Sequence, residues 1–174
     1  DPVTGLHTQQ YFQEFLEREW RRASRERQFV SVIMIEIDHF RAFTEREGKP
    51  EGDACLKDIA DALNPMIHRP SDALARYGGA GKFGAVLGGT DGKGALVLAE
   101  RFRLAIEALQ RPNPASTTSR FITLSLGIAS AMPVRDGAWQ DIELIAAAER
   151  ALARSKEAGC NTVTVDHTDT TIPR

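Results

Sequence analysis

The 174-residue chain has little cysteine, no excess of basic residues and no long apolar run, and each absence excludes a class of protein. Cys55 and Cys160 are its only cysteines and form no CxxC-type pair, so we expect two reduced thiols of a cytoplasmic protein rather than a metal site. The net charge of -2 does not favour DNA binding, which usually shows as a basic domain. No segment approaches the ~18 apolar residues of a membrane span, so we expect no membrane contact.

The length allows one hydrophobic core and is too short to indicate two. No internal repeat or low-complexity segment is present. The chain starts at Asp1 with no signal peptide, and we expect it to be a piece of a longer protein. The sequence predicts one domain over residues 1–166 and a loose polar tail over 167–174.

Hydrophobic periodicity predicts helices and strands in mixed order. The run 30–37 is almost continuously β-branched, which is typical of a central strand buried on both faces. Glycines after residue 77 fit a hairpin turn between two short strands. Trp139 is expected to cover the sheet near the last helix. The predicted strands are 30–37, 73–77, 83–87, 121–129 and 162–165, and the predicted helices are about 8–25, 52–67 (disturbed by Pro65), 98–109 and 142–152. This order predicts an α+β domain with helices covering a sheet.

Six short motifs follow one another along the chain: DPVTGL at 1–6, IEIDHFR at 35–41, EGD at 51–53, RYGG at 76–79, SLGIA at 125–129 and KEAGCN at 156–161. Together they resemble the motifs of GGDEF domains, the diguanylate cyclases of bacterial signalling. The resemblance implies a nucleotidyl-cyclase-like α+β fold, with a central, mostly antiparallel five-stranded sheet surrounded by helices. It also implies a reaction in which two GTP molecules, one on each subunit of a homodimer, are joined into cyclic di-GMP. Carboxylates hold Mg²⁺ against the triphosphates in such chemistry.

The residues that correspond to the family's metal ligands are altered. Glu36 stands where the family has its acid at the end of the first strand, and a longer carboxylate there is still an oxygen ligand. The signature G-G-[D/E]-E-F is replaced by Gly78, Gly79, Ala80, Gly81, Lys82 and Phe83. Either the turn has one extra residue or a glycine and a lysine replace the two acids, and neither alignment leaves a carboxylate in the turn. We therefore expect no catalytic residue in the hairpin and no required cofactor, with Mg²⁺ needed only for residual GTP binding or cyclase activity.

The glycine-rich turn also raises the question of a phosphate-binding loop. The pattern GxxxxGK[ST] does not match, because Arg76 stands five residues before Gly81 and Phe83 follows Lys82. Another phosphate-cradling role and a permissive tight turn both stay open.

A residual GTP site is implied at Arg41, Thr44, Asp53 and Lys156. Thr44 replaces the family's guanine-reading Asn and lacks the paired donor and acceptor of an amide. Asp53 matches a guanine-contacting acid, although the N-cap of a helix would equally explain it. Arg41 and Lys156 match basic residues that meet phosphates, and Cys160 replaces an Arg of that group.

A product-binding site is implied upstream of the hairpin, where residues 69–72 read RPSD at the position of the family's R-x-x-D inhibitory site. The resemblance assigns cyclic di-GMP binding to Arg69 and Asp72, completed by Arg101 on the helix after the hairpin. An Arg fork can donate two hydrogen bonds to a guanine edge or a phosphate. Elsewhere, an Arg and an Asp at this spacing would be an ordinary surface pair.

Three functions are consistent with these residues. The first is an inactive GGDEF domain that binds cyclic di-GMP, with GTP as a second ligand if the residual site still holds it. The second is an active diguanylate cyclase that tolerates its altered hairpin. The third is a dimerisation or relay domain that binds no nucleotide and acts through other domains of the same signalling protein.

Overall fold

A continuous run of β-branched and apolar residues forms the central strand β1, Val30–Ile37, in the computed structural model. The structure describes residues 1–135, 137 and 140–166, so Trp139 and the predicted tail at 167–174 lie outside the described residues. All residues of β1 except Glu36 are buried, which confirms a strand covered on both faces. Its side chains alternate between two apolar clusters, with Ile33 and Ile35 on one face and Val32 and Met34 on the other.

The remaining strands complete a five-stranded sheet in the order β2-β3-β1-β4-β5. They are β2 (Asp72–Arg76), β3 (Lys82–Gly88), β4 (Leu124–Ala131) and β5 (Val163–Val165). The pairs β2–β3, β1–β3 and β1–β4 are antiparallel, and β4–β5 is parallel. The predicted mostly antiparallel α+β sheet is therefore confirmed.

Helices cover both faces of this sheet. They are α1 (Gln9–Glu26), α2 (Phe40–Glu47), α3 (Lys49–Leu63), α4 (Gly92–Ala108) and α5 (Asp141–Glu157). Buried residues of α1 and α5 share one apolar cluster, and buried residues of α2, α3 and α4 share the other. Among the described residues, no helix is long and apolar enough to cross a membrane.

Several element boundaries differ from the sequence prediction. Helix α3 begins at Lys49 rather than near residue 52, because Gly48 (φ 91°) ends α2 and also precedes the first turn of α3. Helix α4 begins six residues earlier than its apolar periodicity indicated. Asp91 caps the helix by accepting from the N–H of Gly94 at 2.9 Å, and Gly92 and Gly94, which are poor helix formers, hide this start in the sequence. As predicted, Pro65 marks the end of α3, where a short 3-10 turn, Asn64–Met66, replaces the last helical turn.

Strand β4 starts at Leu124 rather than at residue 121. Phe121 makes only an isolated bridge to Pro112, so the preceding residues belong to the loop between α4 and β4. This loop lies at the same end of the sheet as the hairpin between β2 and β3, because the last residues of β1 pair with the start of β4 and with Lys82 at the start of β3.

Candidate functional site

Two ion pairs lie near the end of β1 and the start of β3, where the sequence motifs led us to expect metal ligands. Glu36, near the end of β1, lies directly across from Lys82 in the β1–β3 ladder. Its Oε1 accepts a hydrogen bond from Lys156 Nζ at 2.9 Å. Lys82 Nζ in turn contacts both carboxylate oxygens of Glu149, each at 2.8 Å. Glu36 and Glu149 are thus each paired with an ammonium group.

The Lys82–Glu149 pair is half-buried, whereas the Lys156 side chain of the other pair is 47% exposed. The exposed fractions are 22% for the Lys82 side chain, 32% for Glu149 and 26% for Glu36. Removing one partner of a partly buried pair costs more than at a solvated surface pair and less than at a fully buried pair, where an unpaired charge stays out of water. Glu149 was missed by sequence reasoning, since an acid on the polar side of α5 has no pattern that points to the hairpin.

The hairpin turn is shaped around its glycines. Arg76 and Phe83 are ladder partners, and Tyr77 N–H donates to the carbonyl of Lys82 at 3.2 Å, so residues 78–81 form the loop. Gly81 has φ 80°, and a Cβ there would lie 2.8 Å from the ring of Phe40. Because both the backbone and the space favour glycine, no acidic side chain fits at position 81 without movement of Phe40.

The residues present do not fit a divalent metal. Of the two acids the family uses, this chain has only Glu36, and its carboxylate already accepts from Lys156. No group of three or more His, Cys, Asp or Glu side chains that could hold a metal ion is found among the described residues. The ammonium group of Lys82 would oppose a second cation at this position.

A buried aspartate beside this cluster was not among the predicted site residues. Asp38 follows β1 directly and accepts hydrogen bonds from Thr123 Oγ1 at 2.7 Å, Ser125 Oγ at 2.6 Å and the N–H of Asn161 at 3.0 Å. It therefore joins β1, β4 and the segment before β5 at one point. The acid in the middle of the IEIDHFR motif was a sequence signal for it.

The residues of the implied GTP site lie around α2 and the start of α3. Arg41 is exposed and pairs with Glu45 at 3.0 Å, while Thr44 Oγ1 donates to the carbonyl of Arg41 at 2.9 Å. The side chain of Thr44 packs against Gly52, where an added Cβ would lie 2.6 Å from Thr44 Cγ2. Thr44 is thus turned towards its own helix and towards α3.

Asp53 is not a helix N-cap, contrary to one of the two interpretations from the sequence. Gly48 precedes the first residue of α3, and Asp53 lies inside the helix, where it accepts from Lys49 Nζ at 2.7 Å. This i,i+4 pair is exposed and contributes about 0.3–0.5 kcal/mol at most. Its carboxylate therefore stays available to a competing partner.

The R-x-x-D residues lie at the other end of the sheet. Arg69 donates to the carbonyl of Gly88 at 2.8 Å, to Ser71 Oγ at 3.0 Å and to Thr90 Oγ1 at 3.1 Å. Its Nε lies 3.8 Å from Asp72 Oδ2. The guanidinium is thus held in place while 49% of its side chain is exposed.

Asp72 and Arg101 differ in how far their side chains are exposed to solvent. Only 8% of the Asp72 side chain is exposed, and burial raises the pKa of this carboxyl, an effect that Arg69 partly offsets. Arg101 is exposed on α4. Within the described part of the chain, no hydrogen bond or ion pair joins Arg101 to Arg69 or Asp72.

About 20 Å separates the two clusters, because six residue steps of β3 lie between Lys82 and Gly88 and each step spans about 3.3 Å. Lys82 belongs to the ion-pair cluster at one end, and Gly88 contacts Arg69 at the other. The sheet thus places the two sequence-predicted sites far enough apart for one to change without the other.

Comparison with known proteins gives one consistent family. The profile described as "Diguanylate cyclase, GGDEF domain" matches residues 1–162. The chain is similar to the probable diguanylate cyclase DgcT of Escherichia coli K12, with 34% identity over 165 residues that cover 95% of this chain and 35% of DgcT. The chain spans between 22% and 43% of the length of five curated relatives that it matches.

Solved structures show the same fold. The GGDEF domain of DgcB from Caulobacter crescentus, in complex with c-di-GMP, has a TM-score of 0.84 and 25% identity, covering 97% of this chain and 93% of that one. Diguanylate cyclase SiaD from Pseudomonas aeruginosa, in complex with its activator SiaC, has a TM-score of 0.81 and 25% identity, covering 95% and 60%.

Proposed function

This chain belongs to the GGDEF domain family of diguanylate cyclases, and from that premise we propose that it binds cyclic di-GMP and does not synthesise it. The observation that carries the proposal is the contrast between the two ends of β3. At one end, ammonium groups neutralise the acids near the hairpin; at the other, a half-exposed arginine is held ready for a ligand.

The case against synthesis rests on charge. Joining two GTP molecules needs divalent metal ions at the triphosphates, and protein carboxylates hold those ions in place. Here Glu36 is paired with Lys156, and the turn supplies a lysine instead of an acid. Loss of a single transition-state contact typically costs about 10²–10³ in rate, so loss of the metal acid together with the guanine reader at Thr44 leaves negligible turnover.

The case for binding rests on Arg69. A guanidinium has five N–H donors, and its contacts with Gly88, Ser71 and Thr90 leave others for a guanine edge or a phosphate. Fixing the side chain before the ligand arrives lowers the entropy lost on binding. Because Asp72 is largely covered, we assign it mainly to orienting Arg69, and we assign Arg101 to the exposed side of the ligand.

The setting of the domain is proposed from its relatives. It spans 22% to 43% of the length of five curated relatives, so we propose that other domains of a longer signalling protein read the bound state. DgcB was solved with c-di-GMP, and SiaD with an activator protein. We also propose a cytoplasmic location, since a nucleotide ligand and reduced thiols are typical of that compartment, and a homodimer, since the family reaction joins two GTP molecules held by two subunits.

Calorimetric titration with cyclic di-GMP tests the binding half of the proposal. The wild-type domain should bind, Arg69→Ala should lose affinity at least tenfold, and Asp72→Asn should lose less because it acts through Arg69. Arg25→Ala, an exposed arginine on α1, is the matched control and should bind as the wild type does. Absence of binding by the wild type would overturn the receptor function and favour the relay function.

Incubation with GTP tests the other half. Several relatives are named as diguanylate cyclases, so an active enzyme is the competing function. The domain should release no cyclic di-GMP with either Mg²⁺ or Mn²⁺, at concentrations where an active family member is measured in parallel. Clear product formation would overturn the assignment as an inactive receptor.

A further inference from the structure

Three acceptors hold the guanidinium of Arg69, and one of them lies outside both the R-x-x-D segment and β3. Arg69 Nη2 donates to the carbonyl of Gly88 at 2.8 Å and to Ser71 Oγ at 3.0 Å, whereas Nη1 donates to Thr90 Oγ1 at 3.1 Å. Contacts on a single nitrogen would let the guanidinium plane turn about that nitrogen, so the contact on the second nitrogen fixes the plane. Thr90 therefore sets the direction in which the remaining N–H donors of Arg69 point.

Thr90 is itself held by a pair of serines on neighbouring strands. Ser31 of β1 is fully buried, and Ser130 of β4 is its partner in the β1–β4 ladder. Ser31 Oγ donates to the carbonyl of Thr90 at 2.7 Å and lies 2.6 Å from Ser130 Oγ. A hydroxyl has one hydrogen, and that of Ser31 goes to the carbonyl, so Ser130 is the donor to Ser31. The hydrogen bonds thus run in one direction, from Ser130 through Ser31 to Thr90.

A serine at position 31 needs an explanation in this strand. Apart from Ser31, only Glu36 in β1 is polar. Burying a hydroxyl costs free energy of hydration, and only hydrogen bonds offset that cost. An alanine would pack at this position without the cost, so the bond from Ser31 to the loop after β3 is the feature that explains the hydroxyl.

The same threonine contacts the helix that carries Arg101. A Cβ added at Gly94, in the first turn of α4, would lie 2.8 Å from Thr90 Cγ2, so the methyl group of Thr90 packs against that turn. The next residue, Asp91, caps α4 by accepting from the N–H of Gly94 at 2.9 Å. Thr90 therefore contacts Arg69 through its hydroxyl and α4 through its methyl group, and it relates the positions of the two arginines assigned to the ligand.

We propose that Thr90 is a positioning residue for cyclic di-GMP, held in place by Ser31 and Ser130. This role rests on the proposed receptor function, in which Arg69 and Arg101 contact the ligand. Thr90 acts through Arg69, because its hydroxyl fixes the guanidinium plane before the ligand arrives and so lowers the entropy lost on binding. A planar fork that donates to a guanine edge or a phosphate depends on its orientation, which a point charge does not.

Calorimetric titration of threonine variants with cyclic di-GMP tests the proposal. Thr90→Val keeps the methyl group that packs against Gly94 and replaces the hydroxyl with a second methyl, so it should weaken binding about tenfold. Thr90→Ser restores the hydroxyl and should restore most of the affinity. Ser31→Ala acts only through the backbone of Thr90 and should weaken binding less, about threefold. Thr117→Val, at an exposed position of the loop between α4 and β4, is the matched control and should bind as the wild type does.

Two further measurements separate positioning from a general loss of structure. In an Arg69→Ala background, Thr90→Val should cause no further loss of affinity, because no guanidinium is left to orient; damage to the loop would weaken binding by the same factor in both backgrounds. In the ligand-free wild type, ¹⁵N NMR should resolve separate Nη1 and Nη2 signals for Arg69, and Thr90→Val should merge them. Thermal unfolding checks that each variant is folded during the titration.

The outcomes distinguish this role from the receptor function itself. Thr90 is not a positioning residue if Thr90→Val binds as tightly as the wild type, if it loses the same factor in the Arg69→Ala background, or if the Arg69 signals do not change. Each of these results would leave cyclic di-GMP binding by the wild type intact. Absence of binding by the wild type would instead overturn the receptor function, and this role with it.

Discussion

Reversing the charge of Lys82 is the sharpest test of the hairpin cluster. In the wild type, Lys82 and Lys156 neutralise Glu149 and Glu36, and the four side chains sum to zero charge. Lys82→Glu changes this sum to minus two and places a carboxylate across the β1–β3 ladder from Glu36. The variant should therefore be less stable than the wild type and should gain affinity for a divalent cation.

The magnitude follows from the burial of the pair. Exposed pairs contribute about 0.2–1 kcal/mol, and breaking a fully buried pair costs about 3–5 kcal/mol. Since the Lys82 and Glu149 side chains are 22% and 32% exposed, we expect an intermediate loss of about 2 kcal/mol, before like-charge repulsion is added. In a domain of this size, that loss lowers Tm by about 4–8 °C.

Thermal unfolding with and without Mn²⁺ measures both effects. Mn²⁺ at a hundred times its Kd should restore about 2.7 kcal/mol to Lys82→Glu. Lys82→Gln breaks the same ion pair without adding an acid, so it should lose stability and show no rescue by the metal. Lys93→Glu, an exposed charge reversal on α4, controls for net charge. The reasoning is refuted if Lys82→Glu has the same Tm as Lys93→Glu, or if Mn²⁺ stabilises Lys82→Gln as much as it stabilises Lys82→Glu. Either result would mean that the ion-pair cluster does not stabilise the hairpin.

Three more predictions concern stability and pH. Gly127→Ala should cost about 3 kcal/mol or more in unfolding free energy, because the added methyl would meet the backbone of α5 at Ala148 and Leu152, which cannot yield as a side chain does; denaturant melts will show a lowered midpoint. Burial raises the pKa of Cys55 to about 11, so stability should fall as pH rises from about 9 to 11, by up to about 1.4 kcal/mol per unit; Cys55→Ala should remove this contribution and leave those of Tyr77 and Cys160, whose pKa values burial also raises. Burial also raises the pKa of Asp72, so cyclic di-GMP binding should weaken on acidification while pH is still above the ordinary Asp range, a trend absent from Asp72→Asn.

The sheet was predictable because its signals are local. The β-branched run of β1 and the turn glycines before β3 each specify an element without reference to the rest of the chain. The start of α4 was missed because glycines at positions 92 and 94 interrupt the apolar pattern, while the cap at Asp91 that begins the helix is a single residue.

The composition of the site was less accessible from sequence than its location. The motifs assigned Glu36 and the hairpin that contains Lys82 to the family's metal ligands and Lys156 to a phosphate contact, and the structure brings all three to one end of the sheet. The partner of Lys82 could not be predicted, because Glu149 is 67 residues away and its contact depends on how α5 packs. Long-range pairing of this kind is set by tertiary structure rather than by spacing along the chain.

Glu149 also explains how a lysine can stand in the hairpin of this fold. A half-buried ammonium group without a partner would lower the stability of the fold, and neighbouring metal-binding carboxylates would repel one another without their metal. The pairs Lys82–Glu149 and Lys156–Glu36 remove both costs within the protein itself. We therefore expect the hairpin end to be stable without a divalent cation, and the fold that presents Arg69 at the far end of β3 to form without nucleotide or metal at the hairpin.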